Sequence, residues 1–127
     1  MDKLYINGTD STPKVSFDHL KGSFELTGRS FSENVAEFYH PLILWVEKYI
    51  EIPLEKTHLS INLDLINDSS MKYLVSLFNL LEGLQKKGKS ISVTWWFIEE
   101  DDETKEIGES FLSLTNLKLN IQALPSE

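Results

Sequence analysis

The sequence predicts a single α/β domain in which two or three helices cover one face of a mixed β-sheet. Three observations carry this. Four segments alternate apolar and polar residues with period two, so each offers one dry and one wet side, as in a sheet covered on one face only. Two others repeat apolar residues at spacings of three and four, the stripe of an amphipathic helix. The whole is 127 residues with 41% apolar residues, enough for one substantial core and too short for several. A doubly wound parallel sheet, buried on both faces, would instead show continuous apolar strands.

The elements follow in order. Val15-Ser16-Phe17 and Ser23 to Thr27 alternate on either side of Asp18–Gly22 and read as an antiparallel hairpin. Ser30 with Glu33 three residues later matches a capping box, with Ser32 as a competing N-cap. The helical stripe Val35, Phe38, Leu42, Trp45, Val46 and Tyr49 follows. Pro41 lies inside it, so a kink or a second helix start is expected there. After a linker around Pro53, residues 58 to 66 alternate, with Leu59, Ile61, Leu63 and Leu65 on one side and Ser60, Asn62 and Asp64 on the other. Met71, Leu74, Leu77, Phe78, Leu81 and Leu84 form a second helical stripe, closed by Lys86-Lys87-Gly88 at its carbonyl end. Ile91, Val93, Trp95 and Phe97 make another strand. Residues 102 to 114 form a short acidic helix, and Leu117, Leu119, Ile121 and Ala123 a last strand.

Composition narrows the function. A formal charge of −8 opposes nucleic-acid binding, which depends on Lys and Arg displacing counterions from phosphates. The absence of Cys excludes disulfides, thiolate metal sites and thiol nucleophiles. No segment has the length and apolarity of a membrane span, and the start lacks a secretory signature, so a cytoplasmic protein is expected. The acidic run Glu99 to Glu103, with Glu106 and Glu109, is either a solvated loop entering a helix or a docking surface for a basic partner.

The junction Asn67-Asp68-Ser69-Ser70 lies where a strand passes into the most regular helix. Any of its side chains can cap the unpaired N–H groups of a first turn. A hydroxyl there is also a place where phosphate would meet the positive end of the helix dipole. Such a charge would disturb an interface more than the fold, because burying it unpaired costs far more than the dipole returns.

Leu59 to Asp64, followed by Asp68-Ser69-Ser70 and a leucine-rich helix, resembles the strand, Asp-Ser-Ser and helix of STAS-type anti-sigma-factor antagonists. That likeness makes Ser69 the phosphoacceptor, although Met71 replaces their usual glycine. A further set of residues resembles the SiaC family of bacterial regulatory phosphoproteins, which are STAS-like in fold. It comprises Gly8-Thr9, Ser11-Thr12-Pro13, Ser32-Glu33-Asn34, Glu37-Phe38-Tyr39, Pro41, Trp45, Asn67, Ser69-Ser70, Lys72, Trp95 and Gly108-Glu109. What this implies is a non-enzymatic switch, phosphorylated by a dedicated Ser/Thr kinase and dephosphorylated by a PPM-type phosphatase. In one branch the unphosphorylated form activates a diguanylate cyclase. The family often carries its acceptor Thr where this chain has Asp68, which leaves Ser69 as the acceptor here or Asp68 as a fixed, weak mimic. Asn67, Asp68 and Ser70 then shape, charge and cap the helix entrance, and Lys72 pairs with the phosphate.

Alternation places Trp96 on the polar face of its strand, where it is either an interface anchor or covered by residues 9 to 13; with Asp64 it is a candidate partner-binding residue. Two other classes compete. A receiver domain phosphorylated on aspartate would need an acidic pair after its first strand, and Asn7-Gly8-Thr9 stands there. A small hydrolase would need one of His19, His40 and His58 in a nucleophile or metal context, and none has it. Asp64 and Asp68 together could hold magnesium, yet a polar strand face and a cap account for them. No cofactor is expected.

Overall fold

The computed structural model describes residues 1–125; the expected domain of residues 1–127 therefore includes Ser126 and Glu127, which lie outside the described residues. Three strands, β1 (Leu4–Ile6), β2 (Lys14–Asp18) and β3 (Ser23–Ser30), are followed by α1 (Val35–Glu51), β4 (Lys56–Ile66) and α2 (Asp68–Lys86). Then come β5 (Ser90–Ile98), α3 (Asp102–Ser110), a short 3₁₀ turn (Phe111–Ser113) and β6 (Leu119–Leu124). The six strands lie side by side in chain order. β1, β2 and β3 pair antiparallel, and β3 through β6 pair parallel. Each parallel step needs a crossover, and α1, α2 and α3 supply the three.

The alternation decides which face is dry. Val15, Phe17, Phe24, Leu26, Leu59, Ile61, Val93 and Trp95 point to the helices and form one core with Leu42, Val46, Leu74, Phe78 and Leu81. The opposite face is open and carries Ser60, Asn62, Ser92, Trp96 and Gln122 among others. The β2–β3 turn needs Gly22, at φ +66, because a Cβ there would stand 2.4 Å from the Lys56 carbonyl. At the other end of the hairpin, strand alternation runs past the expected limit to Ser30, two residues beyond Gly28 on the core side.

Several expectations are corrected. Ser30 does not begin a capping box: it ends β3 and is buried. Nor is Ser32 the N-cap; Asn34 holds that position without a side-chain cap bond, and the Ser32 hydroxyl accepts from the Asn34 N–H at 3.1 Å. Of the two outcomes expected at Pro41, a second helix start is not seen: α1 is one helix from Val35 to Glu51 with Pro41 inside it. The residue is exposed, so the carbonyl that loses its donor can turn to water. Leu65 is 49% exposed rather than apolar-side core. The β3–β4 register passes from Gly28↔Leu63 to Arg29↔Leu65, skipping Asp64. A bulge of this kind inserts one residue and flips the alternation beyond it, which turns Leu65 outward and packs Ile66 against the core. The acidic helix ends at Ser110 and continues as the 3₁₀ turn, the last strand starts two residues after Leu117, and β1 was not anticipated.

α3 is seated by Trp95. The indole N–H donates to the Thr104 carbonyl at 2.9 Å, and Gly108 lies flat against the ring, where a Cβ would fall 2.3 Å from its nearest atom. Asp101 caps the helix, accepting from the Thr104 N–H at 3.0 Å and its hydroxyl at 2.7 Å.

Candidate functional site

The junction at the entrance of α2 is held by four hydrogen bonds to the end of β3 and the segment after it. The Asn67 N–H donates to the Ser30 carbonyl at 3.0 Å, and the Asn67 amide N–H to the Ser32 carbonyl at 3.2 Å. Asn67 Oδ1 accepts from the Ser70 N–H at 2.8 Å, making Asn67 the N-cap. The Ser70 hydroxyl donates to the Ser30 carbonyl at 2.7 Å. Ser70 thus does not cap the helix. It is fully buried, at 0% exposure, and its oxygen also accepts from the Ser30 hydroxyl at 2.7 Å.

Since Ser30 gives its proton to Ser70, the Tyr39 hydroxyl, 2.6 Å away, is the donor to Ser30. Burial pushes the Tyr39 pKa up to about 12, against the lowering influence of its bonds to the serines, so it remains a donor. Every proton in the chain Tyr39→Ser30→Ser70→carbonyl is used, as a buried polar chain requires. Tyr39 also stacks on Tyr73 of α2, with ring centroids 5.4 Å apart and planes 4° from parallel.

Ser69 is the opposite case. It lies in the first turn, two residues after the cap, exposed, with no side-chain hydrogen bond among the described residues. Asp68 and Lys72 are exposed beside it; Lys72, three residues on, shares its helix face. Asp68, Met71, Lys72 and Val75 line a mostly apolar groove with Phe111 and Leu114. Of the two adjacent hydroxyls, one is sealed and one is presented.

The other predicted residues stand apart from this turn. Asp64 projects from the bulge toward Arg29, 3.7 Å away, and with Thr27, Asn62 and Thr9 it borders a concavity of about 350 Å³ on the open sheet face. Trp96 is half-buried rather than exposed, on that same face, and its indole N–H donates to the Ser60 hydroxyl at 2.9 Å. His58 bridges Ser92 and Thr94 on the open face, His40 is exposed on α1, and His19 packs edge-on to Trp45. Among the described residues no group of three or more His, Cys, Asp or Glu is placed to hold a metal ion, and no helix is long and apolar enough to cross a membrane.

Ser30 and Tyr39 were missed as site residues, although the signal for Ser30 was present. It is in phase with Phe24 and Leu26, on the inward side of β3.

A family model described as SiaC family regulatory phosphoprotein matches residues 6–124. An uncharacterised protein of Pseudomonas aeruginosa (strain UCBPP-PA14) is 30% identical over 123 residues, 97% of this chain and 98% of that protein. The crystal structure of apo-SiaC from P. aeruginosa superposes with a TM-score of 0.89 at 30% identity, covering 97% of this chain and 100% of that one. The crystal structure of the diguanylate cyclase SiaD in complex with its activator SiaC, also from P. aeruginosa, matches with a TM-score of 0.88 at 30% identity, covering 95% of this chain and 99% of the matched chain.

Proposed function

Because the chain belongs to the SiaC family of regulatory phosphoproteins, we propose that it acts by phosphorylation-controlled binding, with Ser69 as the phosphoacceptor and a diguanylate cyclase as the effector. A Ser/Thr kinase adds the phosphate and a PPM-type phosphatase removes it. The unphosphorylated form is the one that binds. The observation that carries the assignment is the contrast within one turn: Ser69 is exposed and unbonded, Ser70 buried. A kinase reaches only the first. The effector side rests on the matched structure of SiaC with the cyclase it activates.

The physics of the switch is local. Phosphate would add roughly −1.5 to −2 charges at the first turn of α2, where the helix dipole contributes only about 0.3–1 kcal/mol. Lys72 offers a cation on the same face. The scaffold tolerates the charge, whereas an effector seated against Ser69 must desolvate it. Asp68 cannot receive a phosphate ester and supplies one permanent negative charge beside the acceptor. Asp64 and Trp96 extend the effector surface onto the open sheet face; the bond to Ser60 fixes the Trp96 ring in one orientation.

Phosphopeptide mapping of the chain co-expressed with its kinase tests the acceptor, and capture of the cyclase by wild type, Ser69→Ala and Ser69→Glu tests the switch. Modification confined to other residues removes Ser69. Equal capture by all three in the presence of kinase removes the switch.

A further inference from the structure

We propose that Ser30 and Tyr39 are positioning residues that select the phosphoacceptor: they lock the Ser70 hydroxyl inside, leaving Ser69 as the hydroxyl of the pair that a kinase can modify. This rests on the reading of Ser69 as the acceptor. The helix entrance contains two adjacent serines; the family resemblance picks out Ser69, and the physical distinction between the two comes from β3 and α1.

The Ser30 carbonyl accepts from both the Asn67 N–H and the Ser70 hydroxyl, which fills its two acceptor positions. The Ser30 hydroxyl donates to Ser70, and Tyr39 donates to Ser30. All three side chains are at most 2% exposed. Freeing Ser70 therefore breaks a chain of buried bonds together, since each broken link leaves a polar group without water or partner. Successive helical residues are turned about 100° apart; fixing Ser70 inward thus fixes the direction in which Ser69 is presented. Tyr39 adds a second hold by stacking on Tyr73, one turn further along α2.

The test places Ser30→Ala and Tyr39→Phe in wild-type and Ser69→Ala backgrounds. Each is co-expressed with the kinase that modifies the wild-type chain and read by phosphopeptide mapping. Amide hydrogen exchange and thermal melting are measured on the unphosphorylated proteins. Wild type should carry phosphate on Ser69 and none on Ser70, and Ser69→Ala should carry none at either. Adding Ser30→Ala or Tyr39→Phe to Ser69→Ala should bring phosphate onto Ser70. Exchange of the Ser70 and Met71 amides should accelerate about fivefold or more, the expected loss of one net hydrogen bond, with the centre of α2 unchanged.

Folded variants that show no faster exchange overturn the lock. Faster exchange with Ser70 still unmodified overturns its role in selection. If Ser30→Ala fails to fold, Tyr39→Phe, which keeps the ring and its stacking, decides both points. Absence of phosphate from Ser69 in wild type overturns the acceptor assignment itself, a distinct result from failure of the lock.

Discussion

Gly108→Ala sets two effects of opposite sign against each other, and the structure decides between them. In a helix interior Ala is favoured over Gly by about 1 kcal/mol, so on propensity alone the substitution should stabilise α3. The added Cβ, however, would lie 2.3, 2.6 and 2.8 Å from three atoms of the Trp95 indole. Ordinary contact between such atoms is about 3.5–4.0 Å, so the ring or the helix must shift by roughly 1 Å. Trp95 is 0% exposed and donates to the Thr104 carbonyl of the same helix; neither partner can yield alone. Overpacking costs typically about 1–3 kcal/mol, and a contact this close on a caged ring belongs at the upper end. The net is a loss of about 2 kcal/mol, equivalent to a fall in Tm of roughly 6–10 °C for a domain of this size. Thermal unfolding followed by circular dichroism measures it. Trp95→Phe in the same chain shortens the ring, so the double variant should lose less than the sum of the two single losses. An unchanged or higher Tm for Gly108→Ala would refute the reasoning.

Three further outcomes follow from the geometry. Asn67→Ala removes the cap of α2 and the bond to the Ser32 carbonyl, and should cost about 1–2 kcal/mol in urea unfolding; Asn67→Asp, which keeps a cap acceptor, should lose less. Glu82 accepts from the Asn116 N–H at 2.7 Å and the Thr115 hydroxyl at 2.8 Å, and these bonds hold its carboxyl below the ordinary value of 4.5. Its contribution is therefore present above pH 4.5 and lost as the pH falls through the lowered value; urea midpoints from pH 6 to pH 3 should decline less for Glu82→Gln than for wild type. Trp96→Ala should weaken capture of the cyclase by about tenfold or more if the ring is an interface anchor, measured by titration against the unphosphorylated protein; unchanged affinity removes that role.

Much of the fold was legible because period counts are local. One-sided alternation gave the covered sheet, and the stripes through Val46 and Leu77 gave the two long helices. What failed depended on neighbours distant in sequence. Alternation along β4 holds up to the bulge at Asp64 and fails at Leu65 just beyond it, and that bulge exists only relative to β3. Ser30 fits a capping box by spacing and a strand end by phase; the buried partners Tyr39 and Ser70, 9 and 40 residues away, decide for the strand. At the candidate site the residues 67 to 72 were found by the strand-to-helix transition, while the inward and outward fates of Ser70 and Ser69 were not, since both are good cap residues. Trp96 was placed on the correct face, but its bond to Ser60 comes from a strand 36 residues earlier.

The side-by-side order of the strands also bears on how the chain finds its structure. From the hairpin onward, each new strand docks beside the one made just before it, separated by a single helix, so no gap must be left open for a later arrival. Growth is always at one border, and the loop closed at each step stays short, which keeps the entropic toll of parallel pairing low. A nascent chain emerging amino end first can add its layers in sequence, and the border awaiting the next strand is the one briefly vulnerable to the wrong neighbour.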